Sequence, residues 1–240
     1  MCTVTFLPLS ETDFVLTSSR DVGFKREHAE FPATVVKNDV SLHFPRDGKA
    51  GGTWIGTSRD NRLICLLNGA FENHVRNEPY RMSRGHIVLD LLIAEDFEKS
   101  CGEINLDNIE PFTLVVVQWK KRNQLFEFVW DGLKRHLKEF QWKESIWSSS
   151  TLYNENMKTM RKDWFKEWLI HNEPSPSGIL KFHRTAGNGK PESDVFMKRK
   201  NVGTVSLTQV VTTKGKTLMN YFPERSDEKG KKGNNYPSNK

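Results

Sequence analysis

The sequence predicts an α+β fold in which two stacked antiparallel sheets lie between helical layers, a four-layer αββα sandwich. Three observations lead there. Short apolar or alternating runs separated by turn residues fill the first third of the chain, the mark of successive hairpins rather than strand–helix–strand units. Helical spacing of apolar residues appears in two blocks, near residues 82–96 and 154–184, with strands between them. Two further β-patterned segments close the chain. Hairpins first and helices in separate blocks is the order of an α+β architecture.

Strands are expected at Thr3–Leu7, Phe14–Ser18, Thr34–Lys37 and Ser41–Phe44. Gly51-Gly52 interrupts the pattern before Thr53–Thr57, and Asp60-Asn61 turns the chain into Leu63–Asn68. The first long helix covers Met82–Asp96, with Ile87, Val88, Leu91 and Leu92 on its apolar face and Ser83 as its cap. Phe112–Trp119 is nearly all apolar and suits a buried strand; Leu125–Trp130 follows the turn Lys121-Arg122-Asn123. A second helix starts near Asn154 and runs to about Ile170, where Met157, Met160, Trp164 and Trp168 recur at spacings of three and four as a core stripe. A short helix over Gly178–Arg184 and the strands Thr204–Thr212 and Thr217–Phe222 complete the pattern. With no repeat and no internal linker, residues 1–224 read as one domain. The tail 225–240 is rich in Lys, Gly, Asn and Ser, has no core-forming pattern, and is expected to be disordered.

Composition excludes several classes of function. The 240 residues include 7 Trp and 15 Phe, enough aromatic surface to argue against a disordered chain. Mean hydropathy is −0.62, and no apolar run approaches the roughly 20 residues of a membrane span. No basic segment followed by an apolar stretch and cleavage site opens the chain, so a cytoplasmic protein is expected. Of the net charge of +6, residues Ser226–Lys240 supply +2, and Lys198-Arg199-Lys200 is a dense basic cluster elsewhere. No nucleic-acid motif accompanies it, and a solvated surface accounts for it. The three cysteines (Cys2, Cys65, Cys101) are too few for a disulfide framework and lack zinc spacing. The seven His show no metal-ligand spacing, so neither metal nor cofactor is expected.

Cys2 carries the sharpest chemistry. Aminopeptidases remove Met1 before a small residue, and the new terminus would hold a thiol and a free α-amine on one residue. An α-amine titrates at about 7.7–8.0 and so is partly neutral at pH 7. A thiol with a built-in base is an activated nucleophile. The alternative is a small hydrophobe packed in an opening strand. If Phe14–Ser18 pairs with the first strand, Ser19-Arg20-Asp21 emerges at the strand end near the start of the chain. A guanidinium there would favour the thiolate, and a carboxylate would hold the α-amine or a substrate group. The alternative is a surface ion pair in a turn.

Cys2, then Ser18-Ser19-Arg20-Asp21, then Gly51-Gly52-Thr53-Trp54-Ile55-Gly56, then Leu66-Leu67-Asn68-Gly69, together resemble the NRDE-domain family, that of transport and Golgi organisation protein 2. Leu152-Tyr153-Asn154 and Val202-Gly203-Thr204-Val205-Ser206 resemble its later Ser-Asn and Gly-Thr-Arg segments. Ser19 and Val22 replace the Asn and Glu of the name motif, and Val205 stands where Arg is expected. The layout is also similar to the choloylglycine-hydrolase branch of the N-terminal-nucleophile hydrolases, which share the αββα fold and cleave linear amides. That resemblance implies Cys2 as nucleophile, Arg20 and Asp21 as its supports, and Asn68 and Asn154 as oxyanion donors. Asn68 also reads as half of an Asn-Gly turn, and Asn154 as a helix cap. The departures from the motif leave a second reading, a non-catalytic trafficking protein handling a lipid, haem-like or other small-molecule ligand on the same fold.

Overall fold

The computed structural model describes residues 3–120 and 122–224, which form two compact units. One contains residues 3–26, 143–148 and 153–224; the other contains residues 27–142 and 149–152. In chain order the strands are β1 (Thr3–Pro8), β2 (Phe14–Gly23), β3 (Glu30–Lys37), β4 (Val40–Arg46), β5 (Ile55–Ser58), β6 (Arg62–Asn68), β7 (Phe112–Gln118), β8 (Gln124–Trp130), β9 (Arg135–Phe140), β10 (Ser145–Ser148), β11 (Val202–Thr213) and β12 (Lys216–Pro223). The helices are α1 (Arg84–Leu92), α2 (Phe97–Glu103), α3 (Glu155–His171) and α4 (Pro176–Thr185). Every pairing between these strands is antiparallel, which is the α+β class expected from the hairpin pattern. Among the described residues no helix is long and apolar enough to cross a membrane.

The first unit holds a five-stranded sheet in the order β10-β1-β2-β11-β12. Side chains alternate across it. Leu7 and Val15 point to the face covered by α3 and α4, where they pack with Phe165, Ile179, Phe182 and Val195. Both helices are capped by their own sequence. Asn154 accepts from the Met157 amide, and Ser175 from the Gly178 amide with Pro176 opening the first turn. The buried face of α3 centres on Arg161 and Phe165. The Met157, Met160, Trp164 and Trp168 stripe flanks that centre and is only half-buried, so the helix is rotated from the expected orientation.

The second unit is a seven-stranded sheet running β3 to β9 in sequence order. Its glycine pair has a packing cause. Gly51 lies at φ +70°, and a Cβ on Gly52 would sit 2.7 Å from the Gly85 carbonyl carbon, so the β4–β5 loop meets the start of α1 backbone to backbone. At the other end of α1, the buried Arg62 guanidinium donates to the Leu91 and Ala94 carbonyls at 2.7 and 2.6 Å, occupying acceptors that the helix leaves open. Cys65 and Cys101 are both buried, and burial pushes the Cys101 thiol up to about 12.

Candidate functional site

Cys2 lies outside the described residues, so the site is built from what surrounds the strand it leads into. Thr3, the first described residue, pairs with Ser19 of β2. Strand β2 does not stop at Ser18, as expected from sequence, but continues to Gly23. Ser19, Arg20 and Asp21 are therefore interior strand residues, 0%, 2% and 2% exposed, rather than a turn at the surface. The extension is paid for by β11, which pairs with β2 as far as Gly23. It also separates the two charged neighbours, since consecutive strand residues face opposite sides. Asp21 shares the helix-covered face with Thr17 and Ser19; Arg20 points the other way with Leu16 and Ser18.

Asp21 has both carboxylate oxygens engaged. The Tyr153 hydroxyl donates to Oδ2 at 2.7 Å and the Thr204 hydroxyl to Oδ1 at 2.6 Å. The Thr204 oxygen in turn accepts from the Met197 amide. A break in the β2–β11 register between Thr204 and Ser206 leaves Val205, the residue standing in place of the family arginine, without a partner across the ladder. Tyr153 is itself buried, with the Arg161 guanidinium 3.4 Å from its ring centroid and that of Arg199 at 5.6 Å. Arg161 is fully buried and donates to Thr3 Oγ1 at 3.1 Å and to the carbonyls of Ser193 and Asp194 at 3.1 and 2.6 Å. The cluster thus runs from the first strand through Arg161 and Tyr153 to Asp21.

A second buried polar group lies on the same face. His183 of α4 has Nε2 2.8 Å from Thr5 Oγ1 and Nδ1 2.8 Å from Ser19 Oγ, so the neutral ring donates through one nitrogen and accepts through the other. Burial, with the Arg161 charge adding to it, pushes its pKa down to about 3. The neutral form is favoured by folding, so this stabilisation is complete above the unfolded value near 6.5 and is lost as pH falls from there towards 3. The slope approaches about 1.4 kcal/mol per pH unit for one proton. His183→Gln should remove that dependence. Urea unfolding of both proteins between pH 4 and pH 7 checks it, and parallel slopes would refute it.

The two asparagines have different surroundings. Asn154 is exposed, spends Oδ1 on the α3 cap, and keeps its amide N–H groups pointing away from that bond. Because it follows Tyr153 directly, it belongs to the neighbourhood of Asp21. Asn68 is in the other unit, at the end of β6, where its carbonyl accepts from Ser149 Oγ at 2.7 Å. Among the described residues its side-chain amide makes no hydrogen bond. The turn there is explained by Gly69 alone, at φ +79° and with a Cβ position only 2.3 Å from Ser150 Oγ. The structure therefore groups Asp21, Tyr153 and Asn154, sets Arg20 on the opposite sheet face, and keeps Asn68 in the second unit.

Tyr153, Arg161, Thr204 and His183 are the polar residues that sequence reasoning missed. One signal was present: Arg161 falls between Met157 and Phe165 at i+4 steps, a charge in the middle of an apolar stripe. A cleft of about 320 Å³ between α3 and α4 is lined by Trp164, Trp168, His171, Lys181 and Phe182 and includes none of the predicted site residues. Among the described residues no group of three or more His, Cys, Asp or Glu is placed to hold a metal ion.

Comparison with known proteins fits this architecture. An N-acylethanolamine-hydrolyzing acid amidase ortholog of Caenorhabditis elegans matches with a TM-score of 0.54 at 11% identity, covering 87% of this chain and 92% of its own. The C2A mutant of the conjugated bile acid hydrolase from Clostridium perfringens matches with a TM-score of 0.57 at 9% identity, covering 100% and 97%. At such identities the likeness is one of fold, and the chain shares the N-terminal-nucleophile-hydrolase-like fold of these proteins. No curated protein sequence matches the chain. The model of the family Transport and Golgi organisation 2 matches residues 1–215, and the chain belongs to that family.

Proposed function

We propose that this protein is a cysteine amidohydrolase that cleaves a linear amide or acyl bond with Cys2 after Met1 is removed. The observation that carries the reading is the Asp21 carboxylate. It is buried on the strand next to β1 and held through both oxygens by hydroxyl donors. Thr3, the residue that follows Cys2 in sequence, lies opposite Ser19. A fixed carboxylate two residues along the neighbouring strand suits an α-ammonium group. The C. perfringens conjugated bile acid hydrolase, whose C2A form carries its substitution at a cysteine numbered 2, supports the assignment, as does the N-acylethanolamine-hydrolyzing activity named for the C. elegans relative.

In this reading the α-amine takes the thiol proton and the thiolate attacks the carbonyl carbon. The C=O electron pair moves to oxygen, and collapse of the adduct expels the amine, which leaves with the proton held by the α-ammonium. Water, deprotonated by the same amine, then cleaves the thioester and returns the thiol. Arg20 is assigned to the thiolate or to an anionic part of the substrate, and Asn154 to the oxyanion.

Asn154→Asp separates donor from cap. Aspartate caps a helix as well as asparagine does, so stability should hold, while the N–H donor is lost. Hydrolysis of an N-acyl amide should fall by about 10²–10³-fold in kcat. An unchanged kcat would remove Asn154 from the mechanism. Asn68→Asp asks the same question independently: a comparable loss assigns the Asn68 amide to the oxyanion, and an unchanged rate leaves it a spectator. A non-catalytic binding protein on this fold is the reading left if no N-acyl amide is turned over and Cys2 labels like an ordinary thiol.

A further inference from the structure

Tyr153 is placed to do more than fill space before α3. It is 2% exposed, and its hydroxyl is spent on one Asp21 oxygen at 2.7 Å. The guanidinium stacked at 3.4 Å on its ring belongs to Arg161, which is fully buried and, among the described residues, makes no ion pair with a carboxylate. The ring that this charge covers donates its hydroxyl to the Asp21 carboxylate. A cation over a phenol face draws electron density from the ring and makes the O–H a stronger donor. The same guanidinium is tied to Thr3 Oγ1, so a single buried group connects the residue that follows Cys2 with the ring that holds Asp21. Thr204 fixes the other oxygen. With both oxygens held, the carboxylate is fixed in one orientation.

From this geometry we infer that Tyr153 is a positioning residue that, through Asp21, sets the protonation of the Cys2 α-amine and so the pH at which the thiol becomes reactive. The inference rests on the reading of Cys2 as an N-terminal nucleophile. A carboxylate held beside an α-ammonium favours the charged form, and the ammonium in turn favours the thiolate beside it. Without the Tyr153 hydroxyl, the Asp21 carboxylate loses one of the two donors that orient it. The amine then loses basicity, and the thiol drifts back towards an ordinary cysteine value of about 8.5.

The test is the rate of alkylation of Cys2 by iodoacetamide as a function of pH, in wild type and in Tyr153→Phe. The variant keeps the ring and its stacking on Arg161 and loses only the hydroxyl. In wild type, half-maximal reactivity should lie well below pH 8.5; in the variant it should move up by about one unit, which is tenfold in rate on the acid side. Turnover of an N-acyl amide should fall by a similar factor in kcat with KM unchanged. Thr204→Val, which removes the donor to the other oxygen, should shift the profile the same way. Phe165→Leu, which loosens the α3–α4 core away from Asp21, should lower stability without moving the profile. A reactive wild-type Cys2 whose profile is superimposable on that of Tyr153→Phe overturns the role of Tyr153 and leaves the nucleophile in place. A wild-type Cys2 no more reactive than an ordinary thiol overturns both.

Discussion

Arg161→Leu should lower the unfolding free energy by about 3–5 kcal/mol, the largest single-residue effect on stability expected in this protein. The leucine retains much of the apolar stem but leaves three acceptors, Thr3 Oγ1 and the carbonyls of Ser193 and Asp194, without the donor they share. An unsatisfied acceptor costs about 1–3 kcal/mol where it is buried, as Thr3 Oγ1 is, and less at the part-buried Ser193 and Asp194 carbonyls; the desolvation saved by removing a buried cation is a partial offset. The Tyr153 ring loses its stacking partner at the same time. For a chain of this length the change corresponds to a fall in Tm of roughly 10 °C. Thermal and urea unfolding of the variant check it. A loss below about 1 kcal/mol would mean that the segment around Ser193 and Asp194 is held without Arg161, and the cluster would lose its structural rationale.

Cys2→Ala should abolish amide hydrolysis, with a fall on the order of 10⁴-fold or more, because nothing else in the proposed mechanism attacks the carbonyl. Alanine is also small, so processing of Met1 is preserved and only the thiol is removed. The variant isolates that thiol in another way. Cys65 and Cys101 are 0% and 2% exposed, and burial holds the Cys101 thiol at about 12, far from ionisation at neutral pH. Native protein should therefore take up one equivalent of alkylating reagent quickly, and Cys2→Ala none. Activity retained in Cys2→Ala would place the chemistry on another residue or on a contaminant.

The fold was legible where apolar periodicity was strong. The near-continuous apolar runs of β6 and β7 declared themselves because their side chains are buried along almost their whole length, as they are in β11, and β12 showed itself by alternating buried and half-buried residues. Strands β9 and β10 escaped notice for a physical reason. Each is the edge of its sheet; β9 carries Arg135, Lys138 and Glu139 where a buried strand would show apolar alternation, and β10 spans four residues. Charge and shortness are how edges avoid pairing with other chains, and they erase the sequence signal at the same time. Helix α2, seven residues long, is too short for its period to show.

The site was legible only in part. Cys2, Arg20 and Asp21 stood out by residue type and order, but the sequence ends the strand at Ser18 and leaves Asp21 beyond it, because the partners that bury Asp21 are far away in sequence. Tyr153 is 132 residues distant and Thr204 is 183. No local pattern encodes such contacts. The rotation of α3 had the same origin: a buried arginine reads as a solvent-facing residue until the acceptors that satisfy it are known. In the Asn68-Gly69 pair, the glycine has its own steric cause in Ser150, and the asparagine side-chain amide makes no hydrogen bond among the described residues.

The most direct test of the central claim is intact-protein mass spectrometry after brief treatment with limiting iodoacetamide at pH 6.5, followed by peptide mapping. The proposal requires a chain lacking Met1 that carries one adduct, located on the N-terminal cysteine. A chain that retains Met1, or one whose adducts are spread evenly over Cys2, Cys65 and Cys101, would contradict it.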